Sequence, residues 1–425
     1  MAHIGIICLP ATGHLNTLIP LGYELKYRGH QVTLIGTLDA KEITEAAGLN
    51  FIAYAEKSRP LGFTPNTLVK MGELSGLASL KYSIELFRQS AIIMMKEGLE
   101  SVREAKVDLL LIDQASFGAS SIAEYLIIPF ITVTSTLMLN REESIPPFNF
   151  GWTYSTTPWA KFRNKLGYKL LDSLIKPIIE TVNSIRQSWN LPPFQKSSDA
   201  YSALAQICRQ PVEFEYPRQQ LPDCFHFTGS FHNPLSRATV DFPYEKLNGK
   251  PLIYASMGTI QNRLLSIFNQ IAEACQDLDA QLIISLGGSA EPESLPNFAG
   301  DPIVVKYAPQ LEILQKAQLT ITHAGLNTVL ESLSCGVPMV AIPIANDQPG
   351  VASRIAWTET GVVIPVKKLT VPKLRNAVQT VLTQPKYRDN AKKMQLAMQK
   401  AGGVNLAADI VEKVIATGKP VARIG

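Results

Sequence analysis

The chain has 425 residues, 46% of them apolar and 18% charged, with a formal net charge of +4. That length exceeds one ordinary core and implies two domains of about 200 residues each, while the small charge, without any Lys/Arg block, excludes nucleic acid as the main partner. The scattered cysteines, Cys8, Cys208, Cys224, Cys275 and Cys335, form no CxxC pair; they exclude a disulfide frame or zinc knuckle and point to free thiols in a reducing cytoplasm.

In chain order, "IGIICLP" (4–10), "VTLIG" (32–36), "FIAYA" (51–55), "DLLLID" (108–113) and "FITVTS" (130–135) are apolar and β-rich enough for buried parallel strands. The N-terminal run is no signal peptide, because it lacks a basic flank and is interrupted by Gly13, His14 and Asn16. Leu15–Tyr27 is long enough for a crossover helix, and Gly29 stops it before the second strand. The longest uncharged run, Tyr125–Asn140, contains a proline and is shorter than a membrane span.

The alternation restarts after residue 250 with "PLIYASMG" (251–258), "QLIISLGG" (281–288), "IVVKYA" (303–308), "LTITHAG" (319–325), "MVAIP" (339–343) and "GVVIPV" (361–366). The expected architecture is α/β, with two Rossmann-like doubly wound parallel sheets facing across a cleft. The expected divisions are an N-terminal domain over 1–230, a linker at 231–250, a second domain over 251–404 and a C-terminal helix over 405–425. That last helix is amphipathic, and its apolar face does not say what it covers.

Two strand-to-helix turns carry histidines: "TGHLNT" (12–17) and "THAGLNT" (322–328). A helix N-terminus has unpaired N–H groups and a partial positive charge, so it suits phosphate. Gly325 allows close backbone approach, Asn327, Thr328 and His323 add donors, and "SMGT" (256–259) supplies a second small-residue turn. The residues alone leave a phosphate cradle and ordinary helix capping equally open. Neither GxGxxG nor GxxxxGK follows the first strands, which counts against a nicotinamide enzyme or a P-loop kinase.

The longer stretch "YAPQLEILQKAQLTITHAGLNTVLESLSCGVPMVAIPIANDQ" (307–348) resembles the donor-binding signature of the inverting UDP-sugar glycosyltransferases. This superfamily includes plant secondary-product, bacterial macrolide and zeaxanthin enzymes. The resemblance implies the GT-B fold, UDP-glucose as co-substrate, and no further cofactor. It implies that Tyr307 stacks on the base, with Ala308 and Gln310 beside it, and that Glu331 holds the ribose hydroxyls. It gives the diphosphate to His323, Gly325, Asn327 and Thr328 with Ser256, Gly258 and Thr259, and the sugar hydroxyls to Asp347 and Gln348. Tyr307 stands where relatives often have tryptophan, and Leu326 departs from the plant pattern, which has tryptophan there.

The same resemblance makes His14 the general base and Asp113, ending "DLLLID", its carboxylate partner. The residues alone admit a helix-terminal histidine and a strand-end cap. His3, His30, His226 and His232 have no comparable setting. No metal is implied: helix N–H groups and neutral donors take the charge of departing UDP. Residues 58–105 and 137–200 are expected to bind a lipophilic hydroxylated acceptor such as a carotenoid, polyketide or flavonoid. The aromatic, proline-rich segment 144–178 suits either that pocket or the surface of a membrane, so a cytoplasmic enzyme with peripheral membrane contact is expected. The competing readings are a UDP-sugar epimerase-like enzyme and a non-catalytic nucleotide-sugar binder. The presence of both His14 and Asp113 argues against the latter. The sequence leaves the oligomeric state open.

Overall fold

The structure, a computed structural model, describes residues 1–74, 76–231, 240–259, 265–288 and 290–423. Part of the expected linker, with His232, lies outside the described residues. Strands β1 (His3–Ile7), β2 (Gln31–Gly36), β3 (Asn50–Ala53), β4 (Leu109–Asp113), β5 (Phe130–Thr134), β6 (Gln206–Cys208) and β7 (Phe225–Phe227) form one sheet in the order 3-2-1-4-5-6-7. Strands β8 (Leu252–Ser256), β9 (Gln281–Ser285), β10 (Ile303–Val305), β11 (Ala317–Thr322), β12 (Met339–Ala341) and β13 (Gly361–Val363) form the second, ordered 10-9-8-11-12-13. Neighbouring strands pair in parallel throughout, for example β1 with β4 and β8 with β11.

Near-continuous apolar runs explain these elements: β1, β4 and β8 are buried along almost their whole length, as strands covered by helices on both faces must be. In both sheets the strand order reverses at the first strand, between β1 and β4 and between β8 and β11. Crevices at such reversals are where doubly wound sheets receive ligands. The helix Thr12–Tyr27 ends at Arg28, and Gly29 adopts φ +93°, as its helix-stop role requires.

The C-terminal helix Gly403–Thr417 returns to the first sheet. Its Ala407, Ala408, Ile410, Val411 and Val414 join a core cluster with Leu18, Leu21 and Leu25 of the helix Thr12–Tyr27. At the rim Arg28 pairs with Asp409 and Glu412.

A buried ion pair ties the segment after β6 to the helix Gln348–Trp357, which follows β12. Arg354 donates to both Glu215 carboxylate oxygens at 2.9 and 2.5 Å, and Gln210 and Arg218 donate to the same group at 2.8 and 3.2 Å. Arg354 lies over the Tyr216 ring, which stacks on Tyr154 at 4.9 Å, and Trp357 meets both tyrosines edge-on. Burial raises the Glu215 pKa, but the two guanidinium charges and their hydrogen bonds outweigh it and bring it down to about 2. A depressed carboxylate stabilises above its unfolded value and loses that contribution as pH falls toward the folded one. Glu215→Gln should therefore lower unfolding stability by about 3–5 kcal/mol at neutral pH, since it strands buried Arg354. In denaturant titrations the gap to the parent protein should narrow between pH 4.5 and about 2.

Candidate active site

The sheet register delivers the first histidine. Ile7 of β1 lies beside Ile112 of β4, so the helix turn after β1 faces Asp113 at the end of β4. His14 Nδ1 is 2.5 Å from Asp113 Oδ2. Ser135, just past the end of the adjacent β5, donates to Asp113 Oδ1 at 2.6 Å and sits 2.7 Å from His14 Nδ1. The Ala115 N–H also donates to Asp113 Oδ1, at 3.2 Å. Asp113 is fully buried; that burial pushes its pKa up, but the charge and hydrogen bond of His14, with Ser135 and Ala115, carry it below the usual carboxylate value. An ionised Asp113 fixes the proton of His14 on Nδ1 and leaves Nε2 as the acceptor. Ser135 was not singled out from the sequence. Its signal was a hydroxyl at the carboxyl end of a strand neighbouring that of Asp113, readable only once strand order is known.

The second histidine sits by the same logic. Ser256 of β8 is opposite Thr322 of β11, so the turn Met257–Thr259 lies against His323. The imidazole occupies the space between two glycines: a Cβ on either Gly258 or Gly325 would overlap its Nε2 and Cε1 atoms. Gly258 also has φ +77°. Burial lowers the His323 pKa to about 4, against a weaker opposing pull from the Ser256 backbone. His323 is thus a neutral imidazole at physiological pH, offering a directed N–H without a charge. Ala324, between His323 and Gly325, takes the left-handed conformation at φ +66°, a strained choice for a residue with a Cβ.

Behind these turns, Gln310 connects the remaining polar residues. Its amide donates to Glu331 Oε2 at 2.6 Å, and its oxygen accepts from Tyr254 at 3.0 Å and from Thr328 at 3.5 Å. Tyr254, buried in β8, is a second residue the sequence reading passed over as a strand aromatic. Tyr307 is half-exposed and its hydroxyl end lies over Gly288, where a Cβ would collide with it. Gln348 turns its carboxamide oxygen onto the Ile344 and Ala345 N–H groups at 2.8 and 3.0 Å, so its NH₂ remains to donate. Asp347 Oδ2 accepts from the Leu137 N–H at 3.0 Å, and burial pushes its pKa up.

The two histidine turns meet. Asn327, in the first turn of the helix Leu326–Ser334, donates to the Gly13 carbonyl at 2.9 Å. One cavity of about 1070 Å³ runs between the sheets. Its wall includes His14 together with Ser256, Gly258, Thr259, Tyr307, Ala308, Gln310, His323, Gly325, Leu326, Asn327, Thr328, Glu331, Asp347 and Gln348. Asp113 stands behind His14, outside the wall. The cavity continues into an apolar chamber bounded by Leu68, Met71, Ile84, Phe87, Ile175 and Ile178. Within segment 144–157 Phe148 and Asn149 line the cavity, Phe150 stacks on Trp152 and Tyr154 on Tyr216. Among the described residues there is no cluster of three His, Cys, Asp or Glu side chains placed to hold a metal ion.

The chain matches the UDP-glucoronosyl and UDP-glucosyl transferase family over residues 66–400. It is 33% identical over 423 residues to a zeaxanthin glucosyltransferase of Pantoea ananas, covering 99% of this chain and 98% of that one. It is 27% identical to an NDP-glycosyltransferase of Bacillus subtilis, covering 96% of each. Among solved structures it resembles the calicheamicin glycosyltransferase CalG4, with TM-score 0.75, 20% identity, and 99% and 100% of the two chains covered. It also resembles the glycosyltransferase VinC in complex with DTDP, with TM-score 0.67, 16% identity, and 97% and 99% covered. The protein belongs to the UDP-glucoronosyl and UDP-glucosyl transferase family, and its two sheets are the GT-B fold. It is a glycosyltransferase.

The glycine pair makes a direct test of this geometry. Gly325→Ala forces the His323 ring from its slot or shifts the turn, an overpacking that costs about 1–3 kcal/mol. A denaturation midpoint unchanged in Gly325→Ala would show that the slot tolerates a methyl group.

Proposed function

We propose that the protein transfers glucose from UDP-glucose to a hydroxyl of a lipophilic acceptor, with inversion at the anomeric carbon and His14 as general base. The observation that carries this reading is the shared cavity: His14, backed by Asp113, faces the same space as the His323 turn. His14 Nε2 takes the acceptor proton as the acceptor oxygen bonds to the sugar C1. The C1–O bond to UDP breaks on the opposite face, so one displacement inverts the centre. Asp113 stabilises the imidazolium that forms, and Ser135 holds Asp113 in place.

On the donor side, Tyr307 offers its ring to the base, and Glu331, braced by Gln310, accepts from the ribose hydroxyls. Neutral His323, the N–H groups opening the helix Leu326–Ser334, and the hydroxyls of Ser256, Thr259 and Thr328 serve the diphosphate. Asn327 keeps one amide hydrogen on Gly13 and can turn the other to a phosphate oxygen. Gln348 donates to sugar hydroxyls, and Asp347 accepts through the oxygen not used by Leu137. The scheme asks for no metal. Glucose and an extended alcohol are favoured by the zeaxanthin glucosyltransferase relative.

His14→Ala should leave UDP-glucose affinity nearly unchanged by calorimetry while transfer falls by about 10²–10⁴-fold, the range for a lost general base. Ser135→Ala should cost about tenfold to a hundredfold, the worth of one hydrogen bond to an ionised carboxylate. Near-normal transfer to an aliphatic alcohol by His14→Ala would refute the assignment.

A lipophilic acceptor also favours a membrane-facing surface. On the helix Pro158–Ser188, Trp159, Phe162, Leu166 and Leu170 recur at helical spacing and are 69%, 53%, 48% and 53% exposed. Exposed Lys161, Lys165 and Lys169 flank them, and Leu171, Ile175 and Ile178 of the same helix line the cavity. Among the described residues no helix is long and apolar enough to cross a membrane. We read this face as resting on an anionic lipid surface, with its apolar stripe in the headgroup boundary and its lysines on lipid phosphates. The protein should sediment with vesicles containing phosphatidylglycerol more than with neutral ones. Replacing the three lysines by glutamine should weaken that binding by roughly fivefold per charge. Equal partition onto both vesicle types would count against it.

A further inference from the structure

The cavity wall holds a buried cation that has no ion-pair partner among the described residues. Arg59 is 7% exposed, lines the cavity, and forms no ion pair with any described residue. Among the described residues its one side-chain hydrogen bond is a long contact to Ser90 Oγ at 3.5 Å. Its guanidinium carbon lies over the Phe63 ring, 3.9 Å from the centroid. A cation held over a ring is not paired in charge, and its N–H groups can still meet a planar oxygen pair.

A second group on the same cavity wall is unsatisfied in the same sense. Thr37, just past the end of β2, lines the cavity with a buried hydroxyl that has no hydrogen-bond partner. Glu97, the carboxylate whose field reaches Arg59, is exposed and accepts from Ser58 at 2.9 and 3.1 Å. Tyr54 and Tyr82, the other groups acting on Arg59, are phenols, and burial pushes that of Tyr54 up to about 12, so it stays neutral. Burial likewise lowers the Arg59 pKa below its ordinary value, as an uncompensated cation requires. Burying a charge is costly unless it is paired, and a carboxylate on a molecule entering the cavity would pair it.

We propose that Arg59, with Thr37 and Ser90, forms a carboxylate-binding subsite, so that the acceptor is a lipophilic hydroxy acid. Its hydroxyl lies at His14, its apolar body crosses Leu68, Met71, Ile84 and Phe87, and its carboxylate ends on Arg59. This rests on the reading that the cavity takes the acceptor, but the two fail differently.

The test is calorimetric binding of a chain-length series of ω-hydroxy fatty acids and their methyl esters to the full-length protein, followed by transfer assays with UDP-glucose. The best-fitting acid should bind about tenfold to a hundredfold more tightly than its ester, the range of a charge-assisted hydrogen bond. Arg59→Met should remove that preference through the acid alone and raise KM rather than lower kcat. Arg59→Lys should restore part of it. Retained ester binding in Arg59→Met shows that the variant is folded. Equal affinity for acid and ester in the parent protein, or equal loss of both in Arg59→Met, overturns the subsite. Acid preference without glucose transfer supports the subsite and instead overturns the proposed reaction.

Discussion

The hydrogen bond from Asn327 to the Gly13 carbonyl joins the first turns of two helices that belong to different sheets. Each helix begins where its parallel strands end, so each presents unpaired N–H groups toward the other across the cavity. The proposed chemistry depends on that opposition. The base sits on one turn and the leaving-group donors on the other, and neither sheet alone offers both. Gly13 contributes to the fit, since a Cβ there would lie 3.2 Å from the Asn327 amide. The Glu215–Arg354 pair and the Leu137–Asp347 contact hold the same two bodies in register at other points.

The two histidines are differentiated by what surrounds them. His14 has a buried, ionised carboxylate against Nδ1, which supports a positive imidazole when a proton arrives. His323 has no carboxylate at its ring and is pushed down to about 4 by burial, so it stays neutral. A neutral donor suits a diphosphate that must leave, because a fixed cation would hold the product as firmly as the transition state. Residue type was the same in both turns; environment divides the proposed roles.

Much of this arrangement was legible because parallel strands are buried on both faces and read as apolar runs. β1, β4, β8 and β11 all stand where such runs occur. β6 and β7 escaped detection because Gln206 and His226 break their three-residue runs, whereas the equally short β10 and β12 are wholly apolar. The position of the C-terminal helix was not legible, since an amphipathic face fits any apolar partner. The Glu215–Arg354 pair spans 139 positions and leaves no periodic trace. The fourteen residues proposed for the donor side were gathered from the turn chemistry and mostly by resemblance, and all of them line one cavity. Arg59 fell within 58–105, expected to belong to the acceptor pocket, but a single arginine near a proline carries no motif.

The glycines show why motif reading and physical reading diverge. From sequence, Gly325 was a point of close approach for a phosphate, and Gly258 part of a small-residue turn. In the fold both clear a slot for the His323 ring, and any Cβ would enter it. The two reasons are compatible, because a ring seated between two bare backbones is also held beside the N–H groups that those backbones carry. The requirement for glycine therefore comes first from the protein's own side chain, and the proposed anion site is consistent with where that side chain is then forced to lie. Ala324 fits the same account: its left-handed backbone turns the chain sharply enough to put His323 and Gly325 on one side of the strand end, and the strain is held locally by the buried turn.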